Sequence, residues 1–295
     1  MKGMKGMILP FALEQLPELA ALAQGLNARR ETGSSFCCSH MEDIQREFAK
    51  TMAYGFAFWS KSRPLGLISC FPDVEKGNAD CSLLLEVSGA AYDGMAEGLL
   101  SHAREKLGRE MALTFFFPVE NADCRRFLTK VGAQPQENEY ILLLKGGDWS
   151  CPGSLAAQPR PALAEEREAF ERLHDMIFPG VYISGKDIWE ELGNARFVYT
   201  VQDEHGLAAY GVLKIAGGKR AVAEVLGVRP DARRRGYGRS VLCYLAEQAF
   251  TLFEKEELEL VVDSDNRAAL RLYLDLGFQI WQENNCYILI SGDRA

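Results

Sequence analysis

Long apolar runs are missing from this sequence of 295 residues, and no stretch approaches the about 18 consecutive apolar positions that a membrane-spanning helix needs. The N-terminal MKGMKGMILPF is basic and then briefly apolar. It has neither an extended apolar core nor a small-residue cleavage site, so it does not read as a secretion signal. Histidine is scarce: His40, His102, His174 and His205 are scattered, none at a ligand spacing from a cysteine or carboxylate. The 8 cysteines show no paired ligand spacing, and adjacent Cys37 and Cys38 are badly placed to clasp one metal. The pattern is not that of a disulfide framework, and a reducing cytoplasm is the expected setting. Positive charge is also in short supply, with 33 Lys and Arg against 41 Asp and Glu. The net charge of -8 argues against a general nucleic-acid binder, although Arg233–Arg235 form a local basic patch. What is present is ordinary for globular proteins, 47% hydrophobic and 25% charged, in a chain long enough for two cores.

The chain repeats itself. NADCRRFLTKVGA at Asn121–Ala133 is echoed by NRAALRLYLDLGF at Asn266–Phe278, and Asn121 and Asn266 lie 145 positions apart, as do Gly132 and Gly277. Leu65-Gly66 has a counterpart in Tyr210-Gly211 at the same offset of 145. An internal duplication follows, with GGDWSCPGSLAAQPRP at Gly146–Pro161 as the Gly- and Pro-rich connection. We read residues 1–147 as one domain, 148–161 as a linker and 162–295 as the second domain.

Local patterning gives similar elements in each copy. In the first, TMAYGFAFWS and PLGLISCF read as strands around a turn at Lys61–Pro64, and CSLLLEV as a buried strand. A helix over Asp93–Leu107, the strand MALTFFFPV, a helix from Asn121 and a closing strand EYILLL complete it. In the second, the helix ALAEEREAFERLHDMI precedes the strands RFVYTVQD, LAAYGVLKI and RAVAEVLGV. The helix SVLCYLAEQAFTLF, the strand LELVVD, the helix NRAALRLYLDLG and the closing strand CYILI follow. The early part is hairpin-like and the later part alternates strand with helix, which predicts a mixed α/β (α+β) fold.

Only the second copy carries AEVLGVRPDARRRGYGRSVLCYLAEQ. Gly236 and Gly238 stand where a helix begins, and glycine lets a ligand approach the backbone. The first helical turn offers unsatisfied N–H groups, and Arg233, Arg234 and Arg235 add positive charge, a combination suited to a pyrophosphate. Neither GxxxxGK[ST] nor GxGxxG after a first strand is present. A basic turn that merely caps a helix is the alternative.

With both blocks taken together, the chain resembles the GCN5-related N-acetyltransferase (GNAT) superfamily. The loop pattern R/Q-x-x-G-x-G/A is matched by Arg233, Gly236 and Gly238. The pattern N-x-x-A-x-x-x-Y-x-x-x-G-F is matched by Asn266, Ala269, Tyr273, Gly277 and Phe278. The resemblance implies two tandem acetyltransferase-like domains, each a mixed, mostly antiparallel sheet flanked by helices. It also implies acetyl-CoA as acyl donor and an amine as acceptor. Backbone around Arg234, Arg235, Gly236, Tyr237, Gly238 and Arg239 would then hold the pyrophosphate, with Arg233 or Arg235 screening its charge. Pantetheine would lie where the strand before the loop parts from LELVV, and an N–H near Leu226, Gly227 or Val228 would polarise the acetyl carbonyl. Tyr273 would protonate the leaving thiolate, and Glu224 would accept the amine proton, unless it merely pairs with an arginine. Asn266 would touch pantetheine or cap its helix. Trp189 and PGVYISGKDIWEEL are expected near the acceptor.

The first copy has lost these features. Aligning Asn121 on Asn266 sets Leu128 at Tyr273, and aligning Val87 on Val228 sets Leu83 at Glu224. SGAAYDGMAEGLL replaces the arginine loop, so one competent site is expected. The expected partner is a small-molecule amine, with a protein or peptide amine as the alternative. Neither a membrane nor nucleic acid is expected, and a homodimer is left open. The alternative functions are a non-catalytic acyl-CoA-binding regulator, and aminoacyl or N-myristoyl transfer on a duplicated fold.

Overall fold

The computed structural model describes residues 6–290 other than Ser39, Asp148, Pro152, Tyr182 and Ala216. The secretion-signal question at Met1–Lys5 and the place of Tyr182 near the acceptor lie outside the described residues. In chain order the elements begin with β1 (Met7–Pro10), α1 (Leu16–Asn27), α2 (Met41–Lys50), β2 (Gly55–Ser60) and β3 (Arg63–Asp73). Then come β4 (Asn78–Leu85), α3 (Gly89–Leu107), β5 (Ala112–Pro118), α4 (Ala122–Lys130) and β6 (Gln134–Lys145). The second half holds β7 (Arg160–Pro161), α5 (Arg167–Ile177), α6 (Gly185–Glu190), β8 (Arg196–Asp203), β9 (Gly206–Ile215) and β10 (Arg220–Val228). It closes with α7 (Tyr237–Glu247), β11 (Glu257–Asp263), α8 (Arg267–Asp275) and β12 (Gln279–Leu289). Among the described residues no helix is long and apolar enough to cross a membrane.

Two compact units form, Met1–Glu139 with Gln282–Ala295, and Tyr140–Trp281. In the first unit the strand order is β1-β2-β3-β4-β5, with Asn284–Leu289 of β12 paired antiparallel to Leu113–Pro118 of β5. Helix α3 buries Tyr92, Ala96, Leu99 and Ala103, spaced three and four apart as one helical face requires, against this sheet. On the opposite face, Leu19, Ala23, Leu26, Ile44 and Phe48 of α1 and α2 pack on Ala57, Leu67 and Leu84. The second unit repeats the plan with strand order β11-β10-β9-β8-β7 flanked on the β11 side by the end of β6. Helices α7 and α8 cover one face, and α5 and α6 the other.

The repeated Gly66 and Gly211 share one reason. A Cβ on Gly211 would come 2.5 Å from Val241 of α7, and one on Gly66 would come 2.8 Å from Met95 of α3. Each glycine lets the central helix close on its sheet.

The unit boundaries differ from the division at 147 and 162. Each unit is completed by the strand expected to close the other: Tyr287 and Leu289 sit in the first core, Leu142 and Leu144 in the second. Alternation in EYILLL and CYILI marks a strand and its buried face, but it does not name the neighbouring strand. A second correction concerns sulfur. Cys151 and Cys243 form a disulfide across a sequence separation of 92, with Cα atoms 5.5 Å apart, whereas Cys37, Cys38, Cys70, Cys81, Cys124 and Cys286 form no disulfide. Nothing in their sequence spacing reveals that approach.

Candidate active site

In the second unit a parallel pair comes apart. Strands β10 and β11 register only at Arg220↔Glu257, Ala221↔Leu258 and Val222↔Glu259, after which they no longer pair with each other as they run on to Val228 and Asp263. The other edge of β10 stays bonded to β9 through Val228↔Ala209, and the Arg229 N–H donates to the Ala208 carbonyl at 2.9 Å. In an antiparallel ladder such bonds alternate, so the N–H groups of Val225 and Gly227 point to β9 and those of Leu226 and Val228 point into the fork. Gly227 has a packing reason of its own: a Cβ there would meet the Tyr210 ring at 2.3 Å. That ring is fixed from behind by His174, whose Nδ1 lies 2.8 Å from the Tyr210 hydroxyl and whose Nε2 lies 3.0 Å from the Ile183 carbonyl. A carbonyl acceptor requires Nε2–H, so Nδ1 accepts from the tyrosine.

The arginine–glycine turn fills the space between β10 and α7. Arg234 (φ 62°) and Gly236 (φ 86°) both adopt left-handed backbone, which costs the arginine on the order of 1 kcal/mol. The backbone N–H groups of Arg234, Arg235, Gly236, Tyr237 and Gly238 have no acceptor among the described residues. Arg233, Arg234 and Arg235 are exposed, and Tyr237, Gly238 and Arg239 are half-buried. Arg233 Nε donates to the Val228 carbonyl at 3.3 Å, which ties the turn to the strand end. A curled run of free N–H groups at a helix start is an anion cradle.

Helix α8 follows β11. Asn266 caps it, its side-chain oxygen accepting from the Ala269 N–H at 3.2 Å. Ala269 therefore has a local role in the cap. Tyr273 is 9% exposed, burial pushes its phenol up to about 12, and the hydroxyl makes no hydrogen bond to a described residue.

Glu224 is the extra residue of a β-bulge, since Ala223 faces Leu213 and Val225 faces Val212. Its carboxylate receives Arg196 Nε at 2.6 Å and Nη2 at 2.8 Å, with Lys214 Nζ at 3.4 Å. Arg196 also pairs with Glu191. The bulge corrects the comparison with Leu83, which faces Ile68 as Ala223 faces Leu213; Glu224 has no counterpart in the first copy. A carboxylate missed in the sequence is Glu259, in the last registered pair before the fork. Burial raises its pKa, against the pull of Arg220 at 3.0 Å, and Glu257 adds to the rise. Its only signal was position: an alternating strand puts Glu257 and Glu259 on one face. Trp189 packs against the Phe170–Tyr210 cluster, as a wall residue of α6.

The first unit keeps the fork and fills it. Strands β4 and β5 register only from Asn78↔Ala112 to Asp80↔Thr114. Ser34 Oγ, from the α1–α2 connection, lies 3.2 Å from Ser82 Oγ on β4 and 3.4 Å from the Phe116 carbonyl on β5. The Ser35 N–H donates to that carbonyl at 2.9 Å, and the Phe36 ring meets the Phe116 ring edge-on at 5.2 Å. Asn121, besides capping α4, donates to the Gly33 carbonyl at 3.1 Å. In the second unit Val261, at the position of Phe116, is 47% exposed. The arginine turn has also shrunk in the first unit, where α3 starts at Gly89 directly after β4 ends at Leu85.

Residues 162–278 match the Acetyltransferase (GNAT) family. Over this part the chain is similar to GNAT-family acetyltransferases. Solved structures extend the likeness to both units. A GCN5-related N-acetyltransferase from Sphaerobacter thermophilus superposes with TM-score 0.79 at 12% identity, covering 96% of this chain and 95% of that one. A tandem GNAT protein from the clavulanic acid biosynthesis pathway gives 0.73 at 16%, covering 99% and 100%. A glucosamine N-acetyltransferase region of a fungal multi-domain β-N-acetylglucosaminidase gives 0.74 at 13%, covering 98% of this chain but 38% of that one. At such identities the likeness is one of fold, and the fold is a tandem GNAT arrangement. No curated protein matches the sequence.

Proposed function

We propose that the chain is an acetyl-CoA-dependent N-acetyltransferase with one working site, in the second unit, and a primary amine as acceptor. The observation that carries this reading is the run of unpartnered N–H groups at Arg234–Gly238 beside the open edge of β10. The pyrophosphate would sit on that run, screened by Arg233 and Arg235. Pantetheine would enter the fork, and the N–H of Leu226 or Val228 would polarise the thioester carbonyl. Holding amine and thioester in attacking geometry supplies much of the rate.

The attacking nitrogen must first lose a proton. Glu224 is held on two sides by Arg196, which disfavours it as the acceptor of that proton; Glu259, kept more basic by burial, is favoured. Once the nitrogen has attacked, expulsion of the thiolate needs a proton donor. The Tyr273 phenol, at about 12, stays protonated at working pH and can donate to sulfur while it takes up the proton of the newly bonded nitrogen. The carboxylates of Glu257 and Glu259 on β11 favour a small cationic amine, with a protein or peptide amine as the alternative. We retain the cytoplasm as the proposed setting.

Calorimetric titration with acetyl-CoA tests the reading, beside an R233A/R235A variant. Binding at one site per chain, weakened in the variant, supports it. Two sites would overturn the account of the first unit, and no binding would overturn the transferase. Tight binding with no turnover across a broad amine panel would instead favour a non-catalytic acyl-CoA sensor.

A further inference from the structure

The segment between β6 and β7 is Gly-, Pro- and Ser-rich, a composition that leaves a backbone loosely held on its own. Here its described residues are fastened along one stripe of the second unit. Trp149 Nε1 donates to the Leu276 carbonyl at 3.0 Å, and its ring meets that of Phe250 at 5.9 Å. Cys151 is bonded to Cys243 of α7. The N–H groups of Ala156 and Ala157 donate to Ser240 Oγ at 3.0 and 3.2 Å. The Ala156 methyl lies 2.8 Å from where a Cβ on Gly236 would be. Gly236, Ser240 and Cys243 are four and three positions apart, so they share one helix face. Under this strap Ser240 is 0% and Cys243 1% exposed.

The stripe ends at the phosphate-binding turn. Arg234, Arg235 and Gly236 stay exposed, so the strap abuts the turn without covering its N–H groups. Left-handed backbone at a non-glycine residue such as Arg234 persists only where its surroundings over-determine it. The Ala156 methyl on Gly236 and the Ser240 hydroxyl, itself 3.3 Å from the Gly236 carbonyl, supply that constraint.

We propose that the strap is a redox-released brace for the phosphate-binding turn. With Cys151–Cys243 closed, the turn is held ready for the pyrophosphate; with the bond reduced, the strap loosens and acyl-CoA binds more weakly. The proposal rests on the acetyl-CoA reading above. Opening requires a dithiol reductant. Its thiolate attacks Cys151, the sulfur that is partly exposed, forming a mixed disulfide and releasing the Cys243 thiolate, which takes a proton. The second thiol of the reductant then displaces Cys151 as a thiol and closes its own disulfide. Two electrons and two protons pass to the protein, and the dithiol is oxidised.

Calorimetry with acetyl-CoA tests this on the full chain, because a thioester has no free thiol to open the bond itself. The titration is run on oxidised protein, on protein treated with dithiothreitol, and on a Cys151→Ser/Cys243→Ser variant under both conditions. Mass spectrometry after alkylation scores the bond. If the freed turn is competent about one-fifth of the time, reduction weakens binding about fivefold. The double variant should match the reduced protein and ignore the reductant. Ser240→Ala, which removes the strap's two hydrogen bonds but keeps the disulfide, should weaken binding in the oxidised state and serves if the double variant does not fold. Equal affinity in oxidised and reduced protein would overturn the brace while leaving the acetyl-CoA reading intact. Free thiols at Cys151 and Cys243 in air-oxidised protein would overturn it as well. Absence of binding in every state would overturn both.

Discussion

At the residue scale, two side chains carry the proposed proton movements, and they should respond differently to pH. The Tyr273 phenol is neutral up to about pH 12, so it imposes no alkaline loss of activity below about pH 11. Its replacement by Phe should lower kcat about 10²-fold or more, with acetyl-CoA affinity nearly unchanged, read by steady-state kinetics beside calorimetry. A raised pKa at Glu259 means that the base becomes available only above the ordinary carboxylate range, so kcat/KM should rise with pH through that higher value. Glu259→Gln should remove this acid limb, whereas Glu224→Ala should act on stability. Removing a carboxylate from beside Arg196, whose side chain is 7% exposed, takes from a buried guanidinium its two-point partner, at a cost of about 3 kcal/mol in urea unfolding. If Glu224→Ala instead folds as well as the parent and loses the acid limb, the two roles are reversed. The places of Tyr273 and Asn266 on α8 were legible in the sequence because a helix fixes their spacing. Which arginine Glu224 pairs with was not, because Arg196 lies two strands away in the sheet.

Among elements, those that were read follow local periods, whereas β1, α1, α2 and α6 went unread, and the other failures came from pairing. The alignment of Leu83 on Glu224 missed a one-residue bulge, which only the register Ala223↔Leu213 and Val225↔Val212 exposes. The filled fork of the first unit was equally hidden, since Gly33–Phe36 reach Ser82 and Phe116 from far along the chain. The arginine–glycine turn was legible because glycine at a left-handed position is a local demand. Gly236 lies at φ 86°, and a Cβ there would also press on Ala156 at 2.8 Å. Gly236→Ala is therefore expected to strain the turn by about 1 kcal/mol or more, raising the Kd for acetyl-CoA at least about fivefold. The thermal midpoint should fall by only a few degrees, which circular dichroism checks. Unchanged affinity would mean that the pyrophosphate is not held there.

For the whole molecule, duplication was legible as a constant offset, but the ownership of the closing strands was not. The sequence places β12 after the second copy, while its residues Gln282–Leu289 complete the first unit. A chain ending at Trp281 would thus damage the unit that lies farther away in sequence. It would strip the partner from Leu113–Pro118 of β5, withdraw Tyr287 and Leu289 from the first core, and remove the Leu289 carbonyl that accepts from Arg104 at 2.5 Å. Burial of one leucine contributes about 2 kcal/mol and the tyrosine a comparable amount, against a total stability of about 5–15 kcal/mol for a domain. Hydrogen exchange on the shortened chain should show lost protection in β5 and α3, with α7 and β9 protected as before. Were the damage to fall on α7 and β9, the last strand would belong to the copy it follows, and each copy would close its own sheet.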